Sequence, residues 1–255
     1  MTIEITIIQP TILKSRPLQS ANLNASEKIA LNLGTKYDLY SCDRDRNHWR
    51  ITFPPLANKP GIFFIYQGHC VVENKAPVRY TKDNLPESVK LEIFYRSQLD
   101  NLYNPTGACN VTSIAMCLDF LRVPRRQKTG QYEDELYQYA IDNGYSRHSP
   151  QDLARIVRDY GAVDKFTDWG TIEGCQKHLA AGNPCVVHGY FTSFGHIVVV
   201  VGYDSKGFFV HDPYGEWFDS GYDTSANGAY LHYSYDLIQR TCIPDGQFWV
   251  HYISK

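Results

Sequence analysis

Hydrophobic positions change rhythm part-way along the chain. Over the first 75 residues they come in short runs broken by polar turns: Thr11-Ile-Leu-Lys, Lys28-Ile-Ala-Leu-Asn-Leu-Gly, Tyr37-Asp-Leu-Tyr-Ser-Cys, Trp49-Arg-Ile-Thr-Phe and Phe63-Phe-Ile-Tyr. Strands this short, at this spacing, predict a small barrel or sandwich. Asn74 to Pro86 holds two prolines and several charges and reads as a connector. After Gln98 the period becomes helical. Val111, Ile114, Leu118 and Leu121 recur between Ala108 and Leu121 and predict a helix with one buried face. Gln131 to Asn143 forms a second helix closed by Gly144. Ser149 and Pro150 open a third, the serine as cap and the proline at the first helical position. Thr171 to Ala181 is a short fourth, ended by Gly182. Strands follow at Cys185 to Phe191, Ile197 to Tyr203, Phe208 to His211 after a turn at Asp204 to Gly207, and near Phe248 to Ile253. Helices first and an antiparallel sheet afterwards define an α+β domain.

Composition narrows the class without naming it. Of 255 residues, 43% are hydrophobic and 20% charged, the balance of a soluble globular chain that buries a real core. A formal net charge of -2 argues against a nucleic-acid-binding surface. No apolar run reaches the ~18 residues that membrane insertion needs. The first ten residues have no basic leader, apolar stretch or small-residue cleavage site. The expectation is synthesis in the cytoplasm without a signal peptide, as a monomer. The 7 cysteines form no CxxC pair, which disfavours a disulfide framework or a zinc ribbon.

One of those cysteines stands apart. Cys109 follows Pro105-Thr-Gly-Ala, a turn that leads into the predicted helix, so its thiol falls in the first helical turn. Unpaired N–H groups and the helix dipole lower a thiol pKa there, and only the thiolate is a useful nucleophile. His196 begins an apolar strand behind Gly195, which leaves room beside it. The hairpin through Asp204 to Gly207 returns Asp212 to within a residue or two of His196 in register. A carboxylate holding one imidazole nitrogen while the other faces the thiol is the triad logic in Cys-His-Asp form. Gln98, eleven residues before Cys109, supplies an amide that, with the Cys109 backbone N–H, would hold a developing oxyanion. By strand alternation His211 faces away from Asp212, and His188 sits mid-strand elsewhere. Asn110, Gly195, Trp217 and Trp49 are the candidate substrate-contact residues. No cofactor is expected, and no metal: a zinc amidase built on His188, His196, His211 or Asp212 lacks HExxH or paired ligand spacing. The acidic stretch from Asp212 to Asp223 lacks an EF-hand pattern and reads as a solvated turn.

Together the segments Ser97-Gln-Leu-Asp-Asn, Cys109-Asn-Val-Thr-Ser, Gly195-His-Ile-Val-Val-Val-Val-Gly-Tyr and Asp212-Pro-Tyr-Gly resemble the papain-like family related to bacteriocin-processing peptidases, the double-glycine leader peptidase-like group. The likeness covers roughly residues 92–253. It implies a papain-like cysteine peptidase fold, with Gln98, Cys109, His196 and Asp212 in the family's order. Asn110 departs from the glycine that many members carry after the cysteine, and no fused transporter is present to imply leader-peptide export. The pattern Thr11-Ile-Leu-Lys, Gly34-Thr-Lys-Tyr-Asp-Leu-Tyr and Asn47-His-Trp-Arg-Ile-Thr-Phe resembles a bacterial SH3-like domain, a module that in cell-wall hydrolases commonly binds peptidoglycan. The expected organisation is an SH3-like β barrel over residues 1–75, a linker over 76–91 and a peptidase domain over 92–255. The expected activity is hydrolysis of an amide in peptidoglycan peptides, endolysin-like, acting on the wall after release. The alternatives are a processing peptidase, a transferase or a delivered effector acting on a protein, and a catalytically inactive binding module.

Overall fold

The computed structural model describes residues 2–39, 41–53, 62–75 and 84–255. The chain divides into two units, Met1–Arg79 and Tyr80–Lys255. In the first, strands β1 (Thr2–Ile7), β4 (Lys36–Leu39) and β8 (Cys70–Lys75) form a sheet of order β4-β1-β8. Strands β2 (Thr11–Lys14), β3 (Lys28–Leu31), β5 (Ser41–Asp45), β6 (His48–Thr52) and β7 (Ile62–Tyr66) form a second, of order β3-β2-β7-β6-β5. Ile5, Ile7 and Leu39 from the first sheet pack with Leu13, Leu31, Ile51 and Ile65 from the second, so the two share one core. Among the described residues the sheets do not close into the expected barrel; a β1–β8 pair that the sequence rhythm did not mark forms a sheet of its own with β4.

The second unit carries a strand that the chain pattern hides. Of the expected connector 76–91, residues 76–83 lie outside the described residues. Val89–Lys90 forms β9, pairing with Tyr203 and Gly202. Helices α1 (Cys109–Phe120), α2 (Tyr132–Asp142), α3 (Pro150–Asp159), α4 (Ile172–Ala180) and α5 (Tyr235–Cys242) surround a sheet of β10 (Val163–Thr167), β11 (Cys185–Gly189), β12 (His196–Tyr203), β13 (Gly207–His211), β16 (Leu231–Ser234) and β17 (Val250–Ser254). The order is β10-β17-β11-β12-β13-β16, antiparallel throughout, with β9 against β12. A two-stranded hairpin, β14 (Glu216–Phe218) and β15 (Gly221–Asp223), stands apart from it.

All eight residues of β12 are buried, because helices cover both faces of this sheet. Val186, Val199 and Val201 point into a core with α1, α2 and α3, whereas Val187, Val198 and Val200 point into a second core with α4 and α5. That double cover explains the unbroken Ile-Val-Val-Val-Val run, since alternation with polar residues survives only where one face meets water.

α1 departs from its sequence reading too. Rather than one buried face it is buried continuously from Asn110 to Leu118, with β12 beneath and α2 and α3 over it. Ala115 is fully buried in this layer. Adding three carbons there forces neighbours off their rotamers at a cost of about 1–3 kcal/mol. We expect Ala115→Leu to lower the urea midpoint accordingly; an unchanged midpoint would show slack in this layer.

Candidate active site

The central helix delivers Cys109 as its first residue, and Ala108 at the cap offers no side-chain oxygen. The first amides of a helix have no partner inside it. Asn110 turns its Oδ1 back to Val111 N at 2.9 Å, which leaves the Cys109 and Asn110 N–H groups at the helix mouth. His196 begins β12. Gly195 before it has φ near +80°, a left-handed conformation that suits glycine, and Thr192 Oγ1 donates to the Gly195 carbonyl at 2.7 Å. The tight turn so formed fixes where the imidazole starts.

β12 and β13 pair with Val199 opposite His211, so Asp212 leaves β13 diagonally across from His196. His196 Nε2 lies 2.7 Å from Asp212 Oδ1, both side chains being almost wholly buried. His196 also bears on the Cys109 thiol, by charge and by hydrogen bonding, and the Ile197 backbone adds to its stabilisation. Burial pushes the Cys109 thiol up, but the His196 charge and hydrogen bond and the Ile197 amide outweigh it, and the net shift is downward. Burial alone would lower His196, yet the Asp212 carboxylate and the Cys109 thiolate lift it to about 10. The two shifts describe a thiolate–imidazolium pair. Cys42, Cys70 and Cys242 move the opposite way, to about 11, 12 and 12, each chiefly by burial.

The Asp212 carboxylate is fully engaged. Oδ1 also accepts from Tyr214 N at 3.0 Å, while Oδ2 accepts from Tyr222 Oη at 2.9 Å and Tyr233 Oη at 3.0 Å. Burial and then the Asp212 charge keep both phenols far above their ordinary range, so they remain donors. Its backbone carbonyl accepts from Tyr95 Oη at 3.0 Å, and its N–H donates to Gly228 O at 2.9 Å. At Gly228 a Cβ would collide with the Asp212 carbonyl, so only glycine permits that approach.

Gln98 is buried, and its Nε2 donates to Pro105 O at 2.9 Å, leaving the second amide hydrogen uncommitted. Gln98, Cys109, Asn110, Gly195 and His196 line one cleft of about 430 Å³. Residues 90–243, more than half of the chain, match the model of the Peptidase_C39 like family.

The chain belongs to the Peptidase_C39 like family.

Among solved structures, this C39-like cysteine peptidase is similar to a C39-like peptidase from Bacillus anthracis. They share 18% identity over 65% of this chain and 98% of that one, with a TM-score of 0.47. It is also similar to a double glycine motif protease from an AMS/PCAT transporter, solved in complex with the leader peptide. There the identity is 19% over 64% of this chain and 91% of that one, with a TM-score of 0.39. No curated protein matches the chain.

The other sequence-chosen residues divide. Asn110 lines the cleft, but its side chain is spent on structure: Nδ2 donates to Arg147 O at 2.8 Å and Oδ1 accepts from Arg147 Nη1 at 3.3 Å. Gly195 lines the cleft as well. Trp217 is not among the cleft-lining residues; its Nε1 donates to Phe191 O at 2.7 Å and its backbone N–H to Tyr233 Oη at 3.1 Å. It fastens the β14–β15 hairpin. Trp49 belongs to the first unit, half-buried against that unit's core. The stretch read as a solvated turn is the hairpin that carries Tyr222 to Asp212. Sequence reasoning missed Tyr222, Tyr233, Tyr95 and Gly228; the only trace of the tyrosines is their abundance (19 residues), and Gly228 leaves none.

Two outcomes follow from this geometry. Iodoacetamide should alkylate Cys109 well below the ordinary thiol range, and His196→Ala should move the rate–pH profile upward, because the imidazolium that lowers the thiol is gone. Peptide mapping of alkylation against pH reads both, and an unmoved profile would detach the thiol from the histidine. Tyr233→Phe leaves Oδ2 with one donor fewer in a dry site and should cost about 1–3 kcal/mol by chemical denaturation; no loss would mean the carboxylate finds another donor.

Proposed function

We propose that this chain hydrolyses peptide amide bonds, with Cys109 as nucleophile, His196 as acid and then base, Asp212 as its orienting carboxylate and Gln98 as oxyanion donor. The observation that carries the reading is the file of Asp212, His196 and Cys109 at the mouth of a helix, opening on a cleft that Gln98 also lines. The Cys109 thiolate attacks the carbonyl carbon and the C=O electron pair moves to oxygen. Gln98 Nε2–H and the Cys109 N–H receive that charge, a stabilisation worth roughly 3–4 kcal/mol per donor in other enzymes. The His196 imidazolium gives its proton to the amide nitrogen as the C–N bond breaks, leaving a thioester and a free amine. Neutral His196 then takes a proton from water, hydroxide adds to the thioester carbonyl, and the thiolate departs. Asp212 holds the imidazole in one orientation throughout, and four donors keep that carboxylate from turning.

The substrate class we propose is the peptide part of peptidoglycan, met after the protein is released to the wall, with the N-terminal all-β unit as an SH3-like wall-binding module. A separate hydrophobic core in that unit supports its being a module in its own right. Isolated sacculi incubated with wild type and with Cys109→Ala, and then analysed by mass spectrometry, test the whole reading. New peptide termini with wild type only are expected, and their chemistry names the bond. No release, together with selective alkylation of Cys109, would keep the peptidase and move its substrate to proteins, as in a processing peptidase.

A further inference from the structure

A second chain of buried polar groups reaches the same cleft from the other side of the sheet's edge. Asp164 on β10, His251 on β17 and His188 on β11 stand on three adjacent strands. His251 pairs directly with Phe166 and with Val186; Asp164 and His188 each lie two residues beyond those partners, within diagonal reach on the same face. His251 Nδ1 is 2.8 Å from Asp164 Oδ2, and His251 Nε2 is 3.0 Å from His188 Nε2. The two rings lie within 21° of parallel, with Phe166 packed on His251 and Trp249 beside His188. Asp164 and His251 are shut from solvent, whereas His188 is half-buried and lines the cleft together with Cys109. His188 Nδ1 has no hydrogen-bond partner among the described residues. The three groups lie in series, and no three such side chains converge on a metal position among the described residues.

The protons of this series can be counted. Asp164 Oδ1 is buried without a partner, so a net charge left on the trio would go uncompensated, at a cost of several kcal/mol. Three protons make the trio neutral. One lies between Asp164 and His251 and one between the two histidines. Two sites remain for the third: Asp164 Oδ1, where a buried O–H would meet no acceptor, and His188 Nδ1 on the ring that lines the cleft. Leaving a donor unpaired in the dry site is the costlier choice, which places the proton on His188 Nδ1. Burial and the neighbouring His251 hold His188 well below the ordinary imidazole range, in keeping with a neutral ring. The register brings this donor close to the chemistry: His188 is the cross-strand partner of Ile197, whose neighbour His196 bears on Cys109.

We propose that His188 is a substrate-binding residue that donates its Nδ1–H to a carbonyl or carboxylate oxygen of the peptide in the cleft, with Asp164 and His251 as positioning residues that fix its tautomer. This rests on the peptidase reading above, and the test separates the two. Cys109 is alkylated with iodoacetamide and, in parallel, with iodoacetyl-alanyl-alanine amide, which carries further carbonyls beyond the reacting carbon. Wild type should prefer the peptidyl reagent. His188→Leu should lower the ratio of the two rates about tenfold, the worth of one hydrogen bond. His188→Asn, whose Nδ2 lies near the place of Nδ1, should keep most of the preference. Nitrogen-15 NMR of histidine-labelled wild type should show His188 protonated on Nδ1, which keeps the proposal testable should a variant fail to fold. A bare Nδ1, an unchanged ratio in His188→Leu, or equal loss in the leucine and asparagine variants overturns the proposal. If wild-type Cys109 reacts with neither reagent faster than the other cysteines, the peptidase reading falls, and this inference with it.

Discussion

A carboxylate with no exposure to water governs the design of the second unit. Burying an ion costs several kcal/mol unless charge and hydrogen bonds replace its hydration, and Asp212 meets that demand from widely separated segments. His196 comes from the central strand, Tyr214 from the next turn, Tyr222 from a detached hairpin and Tyr233 from an edge strand. Each donor requires its own element to be in place. The hairpin is in turn held by Trp217, bonded to Phe191 two residues past β11 and to Tyr233 itself. The geometry of the proposed triad and the packing of this corner are therefore one problem with one solution.

The same electrostatics reach Cys109 only through His196. Without Asp212, burial would drive the imidazole neutral, and a neutral imidazole gives no Coulombic pull on a buried thiol. The helix terminus alone does not decide the matter, since burial is the largest influence on Cys109 and acts to raise it. Five other cysteines show that outcome, each raised chiefly by burial. What distinguishes Cys109 is a charge partner that itself has a charge partner.

Much of this was legible in the linear chain, and the limits have physical causes. Cys109, His196, Asp212 and Gln98 carry meaning only as a set. A helix start, a strand start after glycine, a strand end and an amide before a turn are each bland alone, and it is their combination and order that point to one site. The third helix opens where Ser149 and Pro150 place it, with Ser149 Oγ accepting from Asp152 N at 3.2 Å. The supporting tyrosines were invisible because nothing near them in sequence refers to Asp212; their roles exist only across the folded sheet. The all-round burial of α1 was hidden for a similar reason: Thr112 and Ser113 read as polar, yet Thr112 Oγ1 bonds Ala108 O and accepts from Asn101, and Ser113 Oγ bonds Ile197 O. Buried polar groups satisfied at a distance break amphipathic patterns. Val89–Lys90 is too short to show a period at all.

The order in which these parts occur along the chain has a bearing on synthesis. Cys109 emerges from the ribosome long before His196, and Asp212 before Tyr222, Tyr233 and the last strand. A nascent or truncated chain thus carries the sulfur but not the environment that ionises it. On the proposed mechanism the thiol is ionised only when the final third of the polypeptide has docked, so a growing chain meets its own Cys109 in an unactivated state.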